Sequence, residues 1–424
     1  MTGFGLTPGF TANAGATGTV TGPRNRIEYW CSPKADPSAS FVTNKWDNSW
    51  TRFYDGVYTW TKPSNINTDI PLRVWVWGPG GNGGCSGGSG NGYGGGGGGM
   101  AYKEIAISSL GSTETVTVGV PSYASYNSRG TTSSFGSHCS ASGGNDGEYS
   151  SNPPGNPNST GENSNPLNNQ NAQGGVGIGG DINRRGGWGG EGSQNPGSGF
   201  GGGGASAPAP DGQRDGFMGG RGVSYTAGSG ASIKFNGSRP HTTWSPPGGA
   251  GTAGNGSGPY DGTGERTRGG PGGAGLFGAG GRGATKNWYS SNDSARPSEA
   301  YAADGKGGAI WDPNMLMLGG GGGGGSCAGR FSSACWPSNA GCGGPGAGGG
   351  AVGTYDSSND TRGAIAGNGG VLGGGGGAAQ YQQGSNGGCG GGAGSSGYDG
   401  NPGHHHYGWE MGGNGLIVIT YAIA

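Results

Sequence analysis

The sequence predicts a mainly β and irregular fold: a small β-sandwich with an inserted polyglycine II helix bundle and long loops, and almost no α-helix. Three observations predict it. Glycine makes up 114 of the 424 residues and proline 25, against ordinary shares of about 7% and about 5%. Segments rich in β-branched and aromatic residues, which favour strands, open and close the glycine-rich stretch. The chain also carries 12 Trp, 17 Tyr and 10 Phe, whereas disordered chains are poor in aromatics.

The same composition excludes several classes. Hydrophobic residues are 29% and charged residues 11% of the chain, too few for one large conventional core or for a coiled coil. Glycine does not recur at every third position, as collagen requires. No apolar run reaches the roughly 18 residues of a membrane-spanning helix. A net charge of −1, from 23 basic and 24 acidic residues, gives no electrostatic reason to bind nucleic acid or an anionic membrane.

In chain order, residues 1–25 are polar and rich in Gly, Thr and Ala, and read as an N-terminal arm ordered by a partner. Met1–Pro8 has no basic segment followed by an apolar run, so no signal peptide is expected. The expected location is then inside a cell, or outside it by a non-classical route such as release within a virus particle. Residues 26–120, joined by 413–424, read as the β-sandwich. Gly56–Thr61 alternates large and small side chains. Leu72–Trp77 (LRVWVW) is the strongest strand in the chain, and its apolar character on both faces predicts cover on both sides. Strand character returns at 101–107 and 114–120, and again at 415–421.

Residues 121–412 read as the glycine-rich bundle. Glycine runs at 201–204, 319–325 and 373–377 punctuate loops of Asn, Ser, Pro and single aromatics. An extended threefold helix of the polyproline II shape has no internal hydrogen bonds. Without Cβ atoms, several such helices can lie side by side and bond laterally. Ordering the backbone costs about 1–2 kcal/mol per residue, so the bundle stands only if nearly every buried N–H and C=O finds a neighbour.

Three pieces of the chain together resemble the glycine-rich domain of bacteriophage virion proteins, especially tail-fibre and adhesin proteins. They are Tyr58–Pro63 leading to Val74–Gly81, then Val116–Gly119 followed by Thr132–Gly136, and Gly412–Ile419. The pieces span residues 53–424, while residues 1–50 match no attachment module. The resemblance implies a structural and adhesive role on the virion, after assembly in the host cytoplasm. It implies other tail proteins as partners through the N-terminal region, and a host surface glycan or outer-membrane protein as receptor. A homotrimer is the default for such fibres.

Chemical motifs are few. Gly84-Cys85-Ser86-Gly87-Gly88 fits G-x-S-x-G, but a chain this rich in glycine generates that pattern by accident, and no strand-to-helix turn surrounds it. Asp356 with Asp360, and Asp261 with Glu265, read as solvated loop acids rather than paired catalytic carboxylates. No enzyme activity and no cofactor are expected. Arg185-Gly186-Gly187 and Arg268-Gly269-Gly270 echo RNA-binding segments, but without basic excess. The seven cysteines (31, 85, 139, 327, 335, 342 and 389) form no C-x-x-C pair. They read as buried free thiols, with a Cys327/Cys335/Cys342 staple as the alternative in oxidising surroundings.

The candidate binding residues are aromatics isolated in glycine loops: Trp188, Trp244, Trp288, Tyr289, Trp311, Trp336, Tyr398, Tyr407 and Trp409, with His405 beside them. Exposed together, they would form the amphipathic, low-entropy surface typical of binding hot spots and suited to stacking on sugars. Packed on glycine backbone, they would be plugs. His404 and His406, taken from three chains of a trimer, offer six nitrogens to one axial transition metal. The bland alternative is a histidine loop that faces solvent or reads a receptor. Two further readings compete: a purely structural virion or filament spacer, and a secreted glycine-rich cell-surface or ice-binding protein with N-x-[ST] sites at Asn158, Asn236, Asn255, Asn292 and Asn359.

Overall fold

The computed structural model describes residues 24–30, 34–35, 53–54, 56–84, 91–92, 94–121, 130–147, 149–150, 173–190, 203–204, 216, 223–225, 243–245, 260–261, 267–268, 327–328, 353–354, 369, 371–375, 386–394 and 411–423. Ten strands of these residues build two sheets. They are β1 (Arg24–Trp30), β2 (Gly56–Thr61), β3 (Leu72–Trp77), β4 (Met100–Ile105), β5 (Thr113–Val118), β6 (Ser133–Phe135), β7 (Cys139–Ala141), β8 (Gly177–Ile178), β9 (Ile182–Arg184) and β10 (Leu416–Ile423). The first sheet has the order β1-β10-β3-β4-β9 and the second β8-β7-β6-β5-β2. Every neighbouring pair is antiparallel. The one helical turn among the described residues is the 3₁₀ turn Ile107–Ser109. The fold is mainly β, as expected.

Strand β3 lies at the centre of the first sheet, and alternation along it divides the molecule. Leu72, Val74 and Val76 enter a core shared by both sheets, with Ile105, Ile417 and Ile419 from the first and Trp60, Val116, Val118 and Phe135 from the second. Trp60 meets Phe135 and Tyr421 edge-on, with ring centroids 5.8 and 5.9 Å away. Trp75 and Trp77 point to the opposite face and pack with Met100, Leu416 and Val418. Both indoles are almost wholly buried. Burying 150–250 Å² of aromatic surface contributes roughly 4–6 kcal/mol each by area. The two-sided cover expected from LRVWVW is therefore present.

Two features extend the strand region past the sequence reading. Strand β1 begins at Arg24 and pairs along seven residues with β10, from Arg24↔Ile423 to Trp30↔Ile417. The second sheet takes β6, β7 and β8 from residues 133–178, a stretch read from sequence as glycine-rich bundle. These strands are two or three residues long and made of Ser, Cys, Ala, Gly, Phe and Ile. Such short pieces carry no periodic signal, and their neighbours in the sheet hold them.

Candidate functional site

The layer over Trp75 and Trp77 is glycine. Residues 78–84, 94–99, 142–147, 173–175, 186–190, 203–204, 371–375, 386–394 and 411–415 run through it, with turns at 371–372 and 389–390, and lateral backbone hydrogen bonds join them. Gly94–Gly99 lies in the middle, and each of its six N–H groups donates. Gly94 and Gly97 donate to Gly190 and Gly187, Gly95 and Gly98 to Ala393 and Gly390, and Gly96 and Gly99 to Asn145 and Ser142, at 2.7–3.0 Å. Acceptors on the same neighbouring segment thus recur every third residue. Each of these three segments runs antiparallel to the central one.

Three further segments donate into it: Gly78 and Gly81 to the carbonyls of Gly99 and Gly96, Gly204 to Gly95, and Gly175 to Gly97. A flat strand would bond alternately to two neighbours; this one has six. Such packing requires glycine. A Cβ on Gly95 or Gly98 would sit on the carbonyl oxygen of Gly81 or Gly78, closer than the 3.0 Å that real Cβ atoms respect.

Two side-chain devices fix the layer. Leu372 is wholly buried and packs with Trp75, Trp77 and Met100, pegging the layer to the first sheet. It does so at φ 65°, a left-handed conformation that costs a non-glycine residue roughly 1–2 kcal/mol. The second device is Asn82, 2% exposed, beside Asp146, 1% exposed. The Asn82 N–H donates to Asp146 Oδ1 at 2.8 Å, and Asn82 Oδ1 accepts from the Gly412 N–H at 3.0 Å. Ala393 N–H donates to the Gly81 carbonyl and Gly80 N–H to the Gly413 carbonyl. Both ends of residues 394–411 are therefore held at Gly80–Asn82. Sequence reading missed these polar pins. Their signal is the thrice-used Gly-Gly-Asn, at 80–82, 143–145 and 412–414.

Of the sequence-predicted binding residues, Trp188 alone has a described side chain. It is half-buried within segment 186–190. Trp244 lies in a two-stranded ribbon, opposite Ser224. Trp288, Tyr289, Trp311, Trp336, Tyr398, His404, His405, His406, Tyr407 and Trp409 lie outside the described residues. The described residues bring no two of the candidates together. By position in the chain, Trp288, Tyr289, Trp311 and Trp336 fall between Gly204 and Gly369. Tyr398, the three histidines, Tyr407 and Trp409 fall between the two ends held at Gly80–Asn82.

Cys139 and Cys389 form no disulfide: Cys139 lies buried in the core and Cys389 half-buried against the Trp75/Trp77 cluster. Burial pushes the Cys139 thiol up to about 12, which keeps it protonated and unreactive. Burial, and then a 2.6 Å hydrogen bond to Glu28, raises the Tyr421 hydroxyl to about 12. That bond ties β1 to β10. No family model, curated protein or solved structure matches the chain.

Proposed function

We propose that the chain is a bacteriophage virion protein of tail-fibre or receptor-binding type. The glycine layer is a polyglycine II bundle set on a β-sandwich, and loops leaving the bundle touch the host surface. The single observation that carries this reading is the rotation of the Gly94–Gly99 amides through three neighbours. A threefold extended helix aims successive N–H groups about 120° apart, and hexagonal packing gives each helix six neighbours. A bundle bonded in three directions is a stiff platform. Stiffness lowers the ordering cost of binding for whatever loops it carries.

Two stretches are the proposed loops. Residues 205–368 follow Gly204 in the chain, and residues 395–410 fall between the two ends held at Gly80–Asn82. The first holds Trp244, Trp288, Tyr289, Trp311 and Trp336, and the second Tyr398, the three histidines, Tyr407 and Trp409; stacking of such side chains on a surface glycan is the proposed contact. The protein acts without catalysis or cofactor and joins other virion proteins through its N-terminal region. The competing reading, a stiff spacer without receptor contact, is favoured by Trp188, which is half-buried in the layer like a plug.

Binding of the fluorescently labelled protein to a panel of bacterial cells separates the two. The adhesive reading predicts saturable binding that is lost when residues 395–410, or 205–368, are replaced by a Gly/Ser chain, with the fold retained. A folded protein that binds no cell of a panel containing its host overturns the adhesive reading in favour of the spacer. Binding retained after both replacements overturns the assignment to these loops.

A further inference from the structure

Four of the five strands of the first sheet meet the glycine layer at one end. Strand β3 continues into Gly78, β4 follows Gly99, β10 follows Gly415, and β9 leads through Arg185 to Gly186. The register puts these junctions side by side, with Trp77 opposite both Met100 and Leu416, and Arg184 opposite Met100. Strand β1 enters from the other end. There Arg24 pairs with Ile423, and the neighbour of β1 in the sheet is β10. The chain before Arg24 and the glycine layer therefore approach the β1–β10 pair from opposite ends, about 20 Å apart at about 3.3 Å per residue.

A pull between those two attachments acts along the strands. It draws β1 by its first residue, Arg24, and β10 by its first residue, Leu416. Because the two strands run antiparallel, the forces point in opposite directions along one ladder. The lateral hydrogen bonds lie across that direction, so all seven residue pairs carry the load together. Gliding is opposed as well. A slip of one residue would move Trp30 to the other face, away from the shared core it packs against and from the Tyr58 ring, 5.2 Å away between centroids. The Tyr421 hydroxyl donates to Glu28 Oε1 at 2.6 Å, tying the same two strands. On its other side β10 is held by five residue pairs with β3.

We infer that β1 and β10 form a shear clamp that carries tension between the N-terminal region and the glycine layer. Its use rests on the proposed adhesive function, in which the N-terminal region is fixed to the virion and loops beyond the layer hold a cell. A load on those loops draws the layer away from Arg24, and the β1–β10 ladder is the first part of the sheet that Arg24 loads. The same pair is weak in another direction. Arg24 and Ile423 are partners, so a pull that separates them opens the ladder from that end, one residue pair at a time. Forced unfolding follows the barrier to rupture rather than the equilibrium stability. One folded protein of one stability therefore resists the two pulls differently.

The test is single-molecule force spectroscopy of the full chain, tethered in two ways. One tether joins Met1 to a tag inserted between Gly400 and Asn401, which loads the clamp in shear. The other joins Met1 to Ala424, which peels β1 from β10. The expected result is a first rupture at several-fold higher force with the first tether, at the same loading rate. Equal forces, or a higher force with the second tether, overturn the inference. Tyr421→Phe removes the tie to Glu28 and should lower the rupture force of the first tether. A force unchanged by that substitution places the resistance outside this strand pair and also overturns the inference. Neither tether involves a host cell, so a failed clamp leaves the adhesive reading standing, and failed cell binding leaves the clamp measurable.

Discussion

Substituting Gly95 by alanine tests the packing at its tightest point. The added methyl would land on the Gly81 carbonyl, with the Asn82 carbonyl 2.7 Å away. Both are backbone atoms, so no side chain can swing aside. Overpacking of this kind costs about 1–3 kcal/mol. Moving the segment would also break a buried bond, such as Gly95 N–H to Ala393 O or Gly204 N–H to Gly95 O, at about 1–3 kcal/mol for the polar group left unmet. Against this, alanine stiffens the unfolded chain, a gain of about 0.4–1 kcal/mol. The net expectation is a loss of about 1–5 kcal/mol, which at about 2–4 °C per kcal/mol lowers the melting temperature by several degrees or more. Gly111→Ala is the control. Gly111 is exposed, and its Cβ would meet the Thr113 carbonyl at 3.2 Å, a contact that a shift of a few tenths of an ångström relieves, so its loss of stability should be clearly smaller than that of Gly95→Ala. Denaturant titration followed by fluorescence of the buried Trp60, Trp75 and Trp77 measures both. Equal stability of Gly95→Ala and wild type, or equal damage from the two variants, would refute the reasoning.

Three further outcomes are expected. Leu372→Ala should lose about 2–5 kcal/mol from the vacated pocket. Leu372→Gly should lose about 1 kcal/mol less, because glycine releases the left-handed strain; calorimetry that ranks alanine above glycine would contradict the peg. Tyr421 is protonated more firmly when folded, so its contribution is complete below its ordinary value of 10.0 and is lost as pH rises towards about 12. Denaturant midpoints of wild type should therefore fall more steeply between pH 10 and 12 than those of Tyr421→Phe, and parallel curves would sink the assignment. At neutral pH, Cys139 should react with a maleimide about a hundredfold or more slowly than in unfolded chain, as mass spectrometry of the labelled peptide would report.

Much of the sheet architecture was legible because it is written in local patterns. LRVWVW announced a strand covered on both faces, and the structure places valines in one cluster and tryptophans in the other. The terminal LIVITYAI was equally plain. What was not legible depends on partners distant in sequence. Nothing near Arg24–Trp30 says that it will pair with residues 417–423, and Ser133–Phe135 is held as a strand by Val116 and Thr117 on one side and Cys139–Ala141 on the other. Within the glycine layer, Asn82 and Asp146 matter through contacts that cross more than sixty residues. Leu372 escapes sequence reading because propensity argues against a left-handed leucine; the apolar pocket under it decides otherwise. Of the proposed binding residues, only Trp188 can be placed with its side chain, and its half-buried position comes from the segments on either side of it.

The central claim is that Gly94–Gly99 is bonded in three directions with a period of three. Scalar couplings across hydrogen bonds, measured by NMR on isotopically labelled protein, identify the acceptor of each amide directly. The account predicts couplings from Gly94 and Gly97 to the carbonyls of Gly190 and Gly187, from Gly95 and Gly98 to Ala393 and Gly390, and from Gly96 and Gly99 to Asn145 and Ser142. Amides that alternate between two neighbouring strands, as in a flat sheet, would contradict it, as would the absence of couplings from this segment.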